Sequence, residues 1–169
     1  MLHRPTTSLA VLGVTPEQIA NLQTLAAWLV THADEINFNM QIFGRPARDA
    51  GNVEYPSDDP LDLWTFVAKH DCGAVGCAVG HGPAAGIAPL PGESWVAYAS
   101  RTFGVEAGDT YAHGDLWEFL FDSEWYDVDN TASGAGKRIL WAIENGVPDA
   151  YDVELMTGDD APLCYETAL

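Results

Sequence analysis

Positive charge is scarce in this sequence. Seven Lys and Arg residues stand against 25 Asp and Glu residues, which leaves a net charge of −18 at pH 7 over 169 residues. A field of this sign repels nucleic-acid phosphates and anionic lipid surfaces. We therefore expect neither direct nucleic-acid binding nor attachment to a membrane surface.

Long apolar runs and a secretion signal are missing as well. No stretch approaches the roughly 18 consecutive apolar residues that a membrane-spanning helix needs. Residues 1–13 contain Arg4 as their only Lys or Arg, and no apolar block there leads into a small-residue cleavage site. The sequence therefore predicts a cytoplasmic protein.

Cysteine is also rare. The chain has three cysteines, and a cytoplasmic compartment keeps simple structural disulfides reduced. A disulfide scaffold is therefore not expected. Cys164, near the end of the chain, is most simply interpreted as a free thiol.

The residues that are present favour one globular fold. Apolar residues make up 47% of the chain, and six Trp, six Tyr and six Phe supply aromatic anchors for a core. A chain of this length buries about 70% of its unfolded surface, so it needs no metal or disulfide to hold a core together. We predict a single compact, mainly α-helical domain over residues 1–148, followed by an acidic, partly ordered tail over residues 149–169.

The first helix has the clearest start signal. Thr15 can cap a helix that begins at Pro16, and Gln18 occupies the position of a capping-box partner. Apolar residues then recur at helical spacing as far as residues 32–35. Alternation of polar and apolar residues predicts a minor β element at residues 37–43.

Three further helices are predicted by similar signals. Ser94 can cap a helix over residues 95–103 that stops at Gly104. The other two begin at cap-like residues, and the last of them ends in a left-handed glycine followed by an apolar residue and a proline. Their signals are Asp115, Asn130-Thr131 and Asn145-Gly146-Val147-Pro148.

The most unusual stretch runs from Cys72 to Gly82. It is built of small residues and contains several glycines, which are costly inside a helix. Their presence indicates a close approach by another element or by a ligand. Asp71 can cap a helix that starts here, and Cys77 and His81 would then share one helix face.

The same stretch gathers side chains that bind zinc. His70, Cys72, Cys77 and His81 lie close together in the sequence, although zinc sites of this type usually take their two ligand pairs from separate elements. Alternatively, Cys72 and Cys77 could form a redox pair, or Cys72 could be a nucleophilic thiol with a histidine as its base. A fourth interpretation is that small thiols and glycines allow close packing in the core. The sequence leaves all four open, and it predicts no cofactor unless zinc binds.

Two apparent ligand motifs fail on inspection. Residues 131–138 are similar to a phosphate-binding loop, but Thr131 and Arg138 stand where a Gly and a Ser or Thr are required. Residues 127–138 begin like a calcium loop, but Ala132 and Arg138 occupy the positions of its Gly and Glu. Neither nucleotide binding nor calcium binding is predicted here.

The acidic residues are concentrated in the second half. Residues 101–169 hold fifteen acids and three bases, and no Lys or Arg lies between Glu106 and Asp129. Such a field attracts a basic partner, whereas the simpler interpretation is a solvated surface or adaptation to a salty cytoplasm. The candidate interaction surface consists of Glu118, Asp122, Glu124, Asp127 and Asp129.

Several short motifs, spread over roughly residues 20–148, are similar to one protein family. They are Cys72-Gly73-x-x-x-Cys77-Ala78-x-Gly80-His81, Glu93-Ser94-Trp95, Phe103-Gly104, Trp117-Glu118-Phe119-Leu120-Phe121, Trp125, Asp129-Asn130-Thr131 and Gly146-Val147-Pro148. Together they resemble a family of uncharacterised proteins from tailed bacteriophages and bacterial genomes. Its cysteine motif reads C-G-[TA]-x-x-C-A-x-G-H, and Ala74 stands here where Thr is usual. The resemblance implies a small accessory protein in the cytoplasm of an infected host, of the kind that binds or blocks host machinery, and it implies no activity.

Three functional hypotheses follow. The first is an accessory protein whose acidic half binds a basic macromolecular partner, such as a host defence or nucleic-acid-handling complex, because an acidic surface can compete for a groove built for phosphates. The second is a zinc- or thiol-dependent enzyme centred on Cys72, Cys77 and His81. We expect the first, non-enzymatic function. The third hypothesis is a small-molecule sequestering protein with a pocket lined by Trp95, Trp117 and Trp125.

Overall fold

The chain is mainly α-helical, as its caps and apolar spacing predict. The computed structural model describes residues 6–40, 75–105, 114–121 and 131–148. Within these ranges, no helix is both long and apolar enough to cross a membrane. The helices are α1 (Pro16–Thr31), α2 (Trp95–Phe103), α3 (Gly114–Phe121) and α4 (Ala132–Asn145), with a 3-10 helix at Val79–His81, and the strands are β1 (Thr6–Thr7), β2 (Asn37–Phe38), β3 (Val75–Gly76) and β4 (Val147–Pro148).

The first helix begins at the predicted capping box. The Gln18 N–H donates to the Thr15 hydroxyl at 3.3 Å, and the Thr15 N–H donates to Gln18 Oε1 at 2.8 Å. The Gln18 amide also donates to the carbonyl oxygens of Ser100 and Arg101, at 3.1 and 3.2 Å. The cap therefore fixes both the start of α1 and its contact with α2, and α1 ends at the C-cap residue His32.

The bounds of α2 are confirmed. Ser94 is the N-cap and accepts a hydrogen bond from the Ala97 N–H at 3.2 Å, and Gly104 ends the helix in a left-handed conformation with φ of 71°. The start of α3 differs slightly from the prediction. It begins at Gly114, one residue before Asp115, which was expected to be its cap.

Helices α1 and α4 pack as an antiparallel pair at very short range. A Cβ atom at Gly136, near the start of α4, would lie 2.9 Å from the Ala26 carbonyl oxygen and 2.8 Å from Val30 Cγ2, close to the end of α1. At the other end of α4, Thr6 Oγ1 of β1 donates to the Asn145 carbonyl oxygen at 2.5 Å. The missing side chain at Gly136 therefore sets the distance between the two helices.

The two ends of α4 show one confirmed signal and one wrong prediction. Thr131 is the N-cap and accepts a hydrogen bond from the Gly134 N–H at 3.0 Å. Gly146 has the expected positive φ of 85°, but its ψ of −176° is extended, so the predicted left-handed cap is wrong. The reason is that the chain continues directly into β4, which pairs antiparallel with β1. A Cβ at Gly146 would lie 2.7 Å from the Thr7 carbonyl oxygen.

The predicted minor β element is confirmed in its first two residues. Strand β2 pairs in parallel with β3, Phe38 lies opposite Gly76, and the Asn39 N–H donates to the Gly76 carbonyl oxygen at 3.0 Å. Residues 41–43 of the predicted 37–43 element lie outside the described residues, as does the predicted tail over residues 149–169.

One buried core includes residues of all four helices. Aromatic rings cross it: the Tyr98 and Phe103 ring centroids lie 5.8 Å apart, and those of Phe103 and Phe121 lie 5.9 Å apart. The apolar face of α1 supplies the aliphatic part of this core, because its buried positions recur at helical spacing. The fully buried side chains include Leu22, Leu25, Leu29, Tyr98, Phe103, Phe119, Leu120 and Ile139.

Candidate functional site

The segment that carries Cys77 and His81 differs from the predicted helix. Strand β3 precedes Cys77, and a 3-10 helix of three residues ends at His81. A continuous helix through this segment is therefore a wrong prediction for its described part, because residues 75–76 pair with β2 instead. The two side chains still belong to one turn, since the His81 N–H donates to the Cys77 carbonyl oxygen at 3.1 Å.

Cys77 is a buried thiol. It is 4% exposed, and burial raises the pKa of its thiol to about 11, while hydrogen bonding to the backbone of Gly80 and Val79 lowers the pKa less strongly. The thiol is therefore protonated at neutral pH, whereas nucleophilic and metal-ligating cysteines react as thiolates. This environment supports the core-packing interpretation for Cys77.

His81 lies within a column of stacked rings. Its ring centroid is 5.4 Å from that of Trp28 and 6.1 Å from that of Phe38, with interplanar angles of 27° and 13°. His32 stacks on Trp28 at 4.7 Å, and His32 Nδ1 lies 2.9 Å from the Trp28 carbonyl oxygen. The column joins α1, β2 and the 3-10 helix, so buried His81 packs as an aromatic member of the core.

The zinc hypothesis is not tested by the described part of the chain. Within it, no group of three or more His, Cys, Asp or Glu side chains could hold a metal ion. His70 and Cys72, which complete the predicted ligand set, lie outside the described residues. A zinc site, a Cys72–Cys77 redox pair and a nucleophilic Cys72 therefore stay predictions.

The glycines of this stretch indicate a close approach by another element, and such an approach occurs at Gly82. The Tyr98 hydroxyl occupies the space that a Cβ at Gly82 would need. That hydroxyl donates to the Ile87 carbonyl oxygen at 2.7 Å, and burial raises the pKa of Tyr98. The neighbouring element is thus an aromatic side chain of α2.

An ion pair holds the loop between the 3-10 helix and α2. Arg101 Nε donates to Glu93 Oε1 at 2.6 Å and Arg101 Nη2 donates to Glu93 Oε2 at 2.8 Å. The Leu90 N–H donates to the same carboxylate at 2.8 Å, and Arg101 also donates to the Ala88 carbonyl oxygen at 3.2 Å. Burial raises the pKa of Glu93, but these hydrogen bonds and the nearby Arg101 charge outweigh it and leave the pKa below its usual value.

Two of the three tryptophans proposed to line a pocket lie within the described residues. Trp95 is part of the core, and Trp117 packs against it. Trp95 is buried and meets Tyr98 edge to face at 6.0 Å, while Trp117 packs at 5.5 Å against Phe121. Both contacts are those of ordinary core aromatics. Trp125 lies outside the described residues, so the sequestering hypothesis stays a prediction.

The candidate acidic surface is described at only one of its five positions. Glu118 lies on α3 and is partly buried. Asp122, Glu124, Asp127 and Asp129 lie outside the described residues, so the surface as a whole stays a prediction.

Sequence reasoning missed Arg138, which is fully buried on the inner face of α4. A buried guanidinium requires compensating groups, and Arg138 does take part in a polar, ring or electrostatic interaction. A signal was present, because Ala135 and Ala142 flank Arg138 at helical spacing on the buried face. That pattern places a cation inside the protein, where it cannot contact a partner molecule directly.

Comparison with protein families, curated proteins and solved structures finds no match to this chain.

Proposed function

We propose that this chain is an acidic accessory protein that binds a partner protein through a basic surface of that partner. The observation that carries the proposal is the charge balance, a net −18 at pH 7 that already counts all seven Lys and Arg residues. Arg138 is buried and Arg101 is paired with Glu93. In the described ranges, Lys137 is thus the only Lys or Arg that is neither fully buried nor paired with a carboxylate.

Exposed acids support a broad negative field. They occur at the beginning of α1, just beyond its end and near the end of α4, so both ends of the helix pair carry negative charge. Clefts and surfaces of one sign raise the local concentration of oppositely charged partners and speed their association. The exposed acids of the described ranges are Glu17, Asp34, Glu35 and Glu144.

The proposed contact is the acidic run of the second half. It comprises Glu118, Asp122, Glu124, Asp127 and Asp129, in a sequence window without Lys or Arg. A basic groove that normally holds phosphates presents the complementary charge. The resemblance to tailed-bacteriophage proteins suggests a host defence or nucleic-acid-handling complex in the host cytoplasm as the partner, with inhibition of that complex as the outcome.

A charge-neutralisation experiment tests whether the contact is local. The first variant combines Asp122→Asn, Glu124→Gln, Asp127→Asn and Asp129→Asn. The matched control combines Glu17→Gln, Asp34→Asn, Glu35→Gln and Glu144→Gln, and it removes the same number of negative charges from exposed positions.

Affinity for a short Lys- and Arg-rich peptide is measured for both variants by fluorescence anisotropy over a range of NaCl concentrations. We expect the first variant to bind about tenfold more weakly than the control, a difference of ~1.4 kcal/mol. Equal affinities for the two variants would contradict a local contact, because only the long-range field would then matter.

A further inference from the structure

We draw no further inference here: the strongest candidate, the uncharged outer face of α1 with its exposed residues Ala20, Gln23, Thr24, Ala27, Val30 and Thr31, carries no proposal, because nothing in the structure, over the residues that it describes, shows what covers this face.

Discussion

The α1–α4 helix pair and the segment of residues 75–105 are stabilised in different ways. In the helix pair, the N-caps Thr15 and Thr131 act on residues three positions away, and Gly136 allows the two helices to pack closely. In residues 75–105, which we call the clamp region, side chains reach across loops, as Glu93 does to Arg101. Helix caps and close backbone packing therefore stabilise the helix pair, whereas side-chain hydrogen bonds between α2 and the loop before it stabilise the clamp region.

A glycine lies at a close contact in each of the two regions. Gly136 is a local helix weakness, yet it is the point at which α4 approaches the Ala26 carbonyl oxygen of α1. Gly82 plays the corresponding part in the clamp region, where the Tyr98 hydroxyl takes the place of a side chain. In both regions, glycine marks a contact that helix propensity does not report.

The largest effect is expected at Gly136. Gly136→Leu should lower the free energy of unfolding by about 3 kcal/mol, because the side chain must enter space held by the α1 backbone and Val30. Gly136→Ala should be destabilising by a smaller amount, although alanine is the better helix former by up to ~1 kcal/mol. Urea unfolding measures both variants.

Glu144→Leu serves as the control for Gly136, since Glu144 is exposed on the same helix. It should change the free energy of unfolding by less than about 0.5 kcal/mol. A stabilised Gly136→Ala variant would show that the helix pair is governed by propensity alone, and the close approach of α4 to α1 would then be wrong.

The next effect is expected in the clamp region. Gly82→Ala should lower the free energy of unfolding by about 2 kcal/mol, since its Cβ meets the Tyr98 hydroxyl. Tyr98→Phe should cost about 1 kcal/mol, through the lost hydrogen bond to the Ile87 carbonyl oxygen. The double variant should be more stable than the sum of the single losses predicts, because removing the hydroxyl makes room for the new methyl group.

A double-mutant cycle by chemical denaturation supplies this measurement. Strict additivity of the two losses would mean that Gly82 and Tyr98 do not compete for the same space. In that case, the contact with Tyr98 would not require glycine at position 82.

The difference between the regions also explains what the sequence predicts. Thr15, Pro16 and Gln18 predict the start of α1, and Ser94 with Gly104 predicts both ends of α2, because caps act within one turn of backbone. No such local rule places His81 between Trp28 and Phe38, which are far from it in the sequence. Phe38 lies in β2 and His81 follows β3, so the parallel pairing of these strands brings the two rings close together.

The same limit applied to the candidate site. Spacing alone predicts that Cys77 and His81 share one face of an α-helix, but a strand and a 3-10 helix form there instead. Burial raises the pKa of the Cys77 thiol, and burial depends on the whole fold. The burial of Arg138 can be inferred from the sequence only through the apolar residues around it in α4.

An intermediate effect is expected from the ion pair. Glu93→Gln should lower the free energy of unfolding by about 1.5 kcal/mol at neutral pH, since charge-assisted hydrogen bonds to Arg101 are weakened. The folded pKa of Glu93 lies below its unfolded value of 4.5. Its ionised form therefore stabilises the fold above that value, and this contribution is lost as the pH falls through the folded pKa.

Stability measured against pH tests this sign. The wild-type protein should approach the stability of Glu93→Gln as the pH falls below about 4.5. A difference between the two proteins that stays constant down to acid pH would mean that the charge of Glu93 contributes nothing. The stability of the clamp region would then depend on packing and uncharged hydrogen bonds alone.

The smallest effect is expected from the loss of a helix N-cap. Thr131 is the cap in the helix pair, and Ser94 is the cap in the clamp region. Thr131→Ala should cost about 1 kcal/mol, because α4 loses the side-chain acceptor for the Gly134 N–H. Ser94→Ala should cost about half as much, since Arg101 and Tyr98 also bind α2 to the preceding loop. Thr131→Ser and Ser94→Thr keep the hydroxyl groups and serve as controls. If chemical denaturation gave equal losses for the two alanine variants, the side-chain hydrogen bonds of the clamp region would not compensate for a lost cap, and the two regions would be stabilised in the same way.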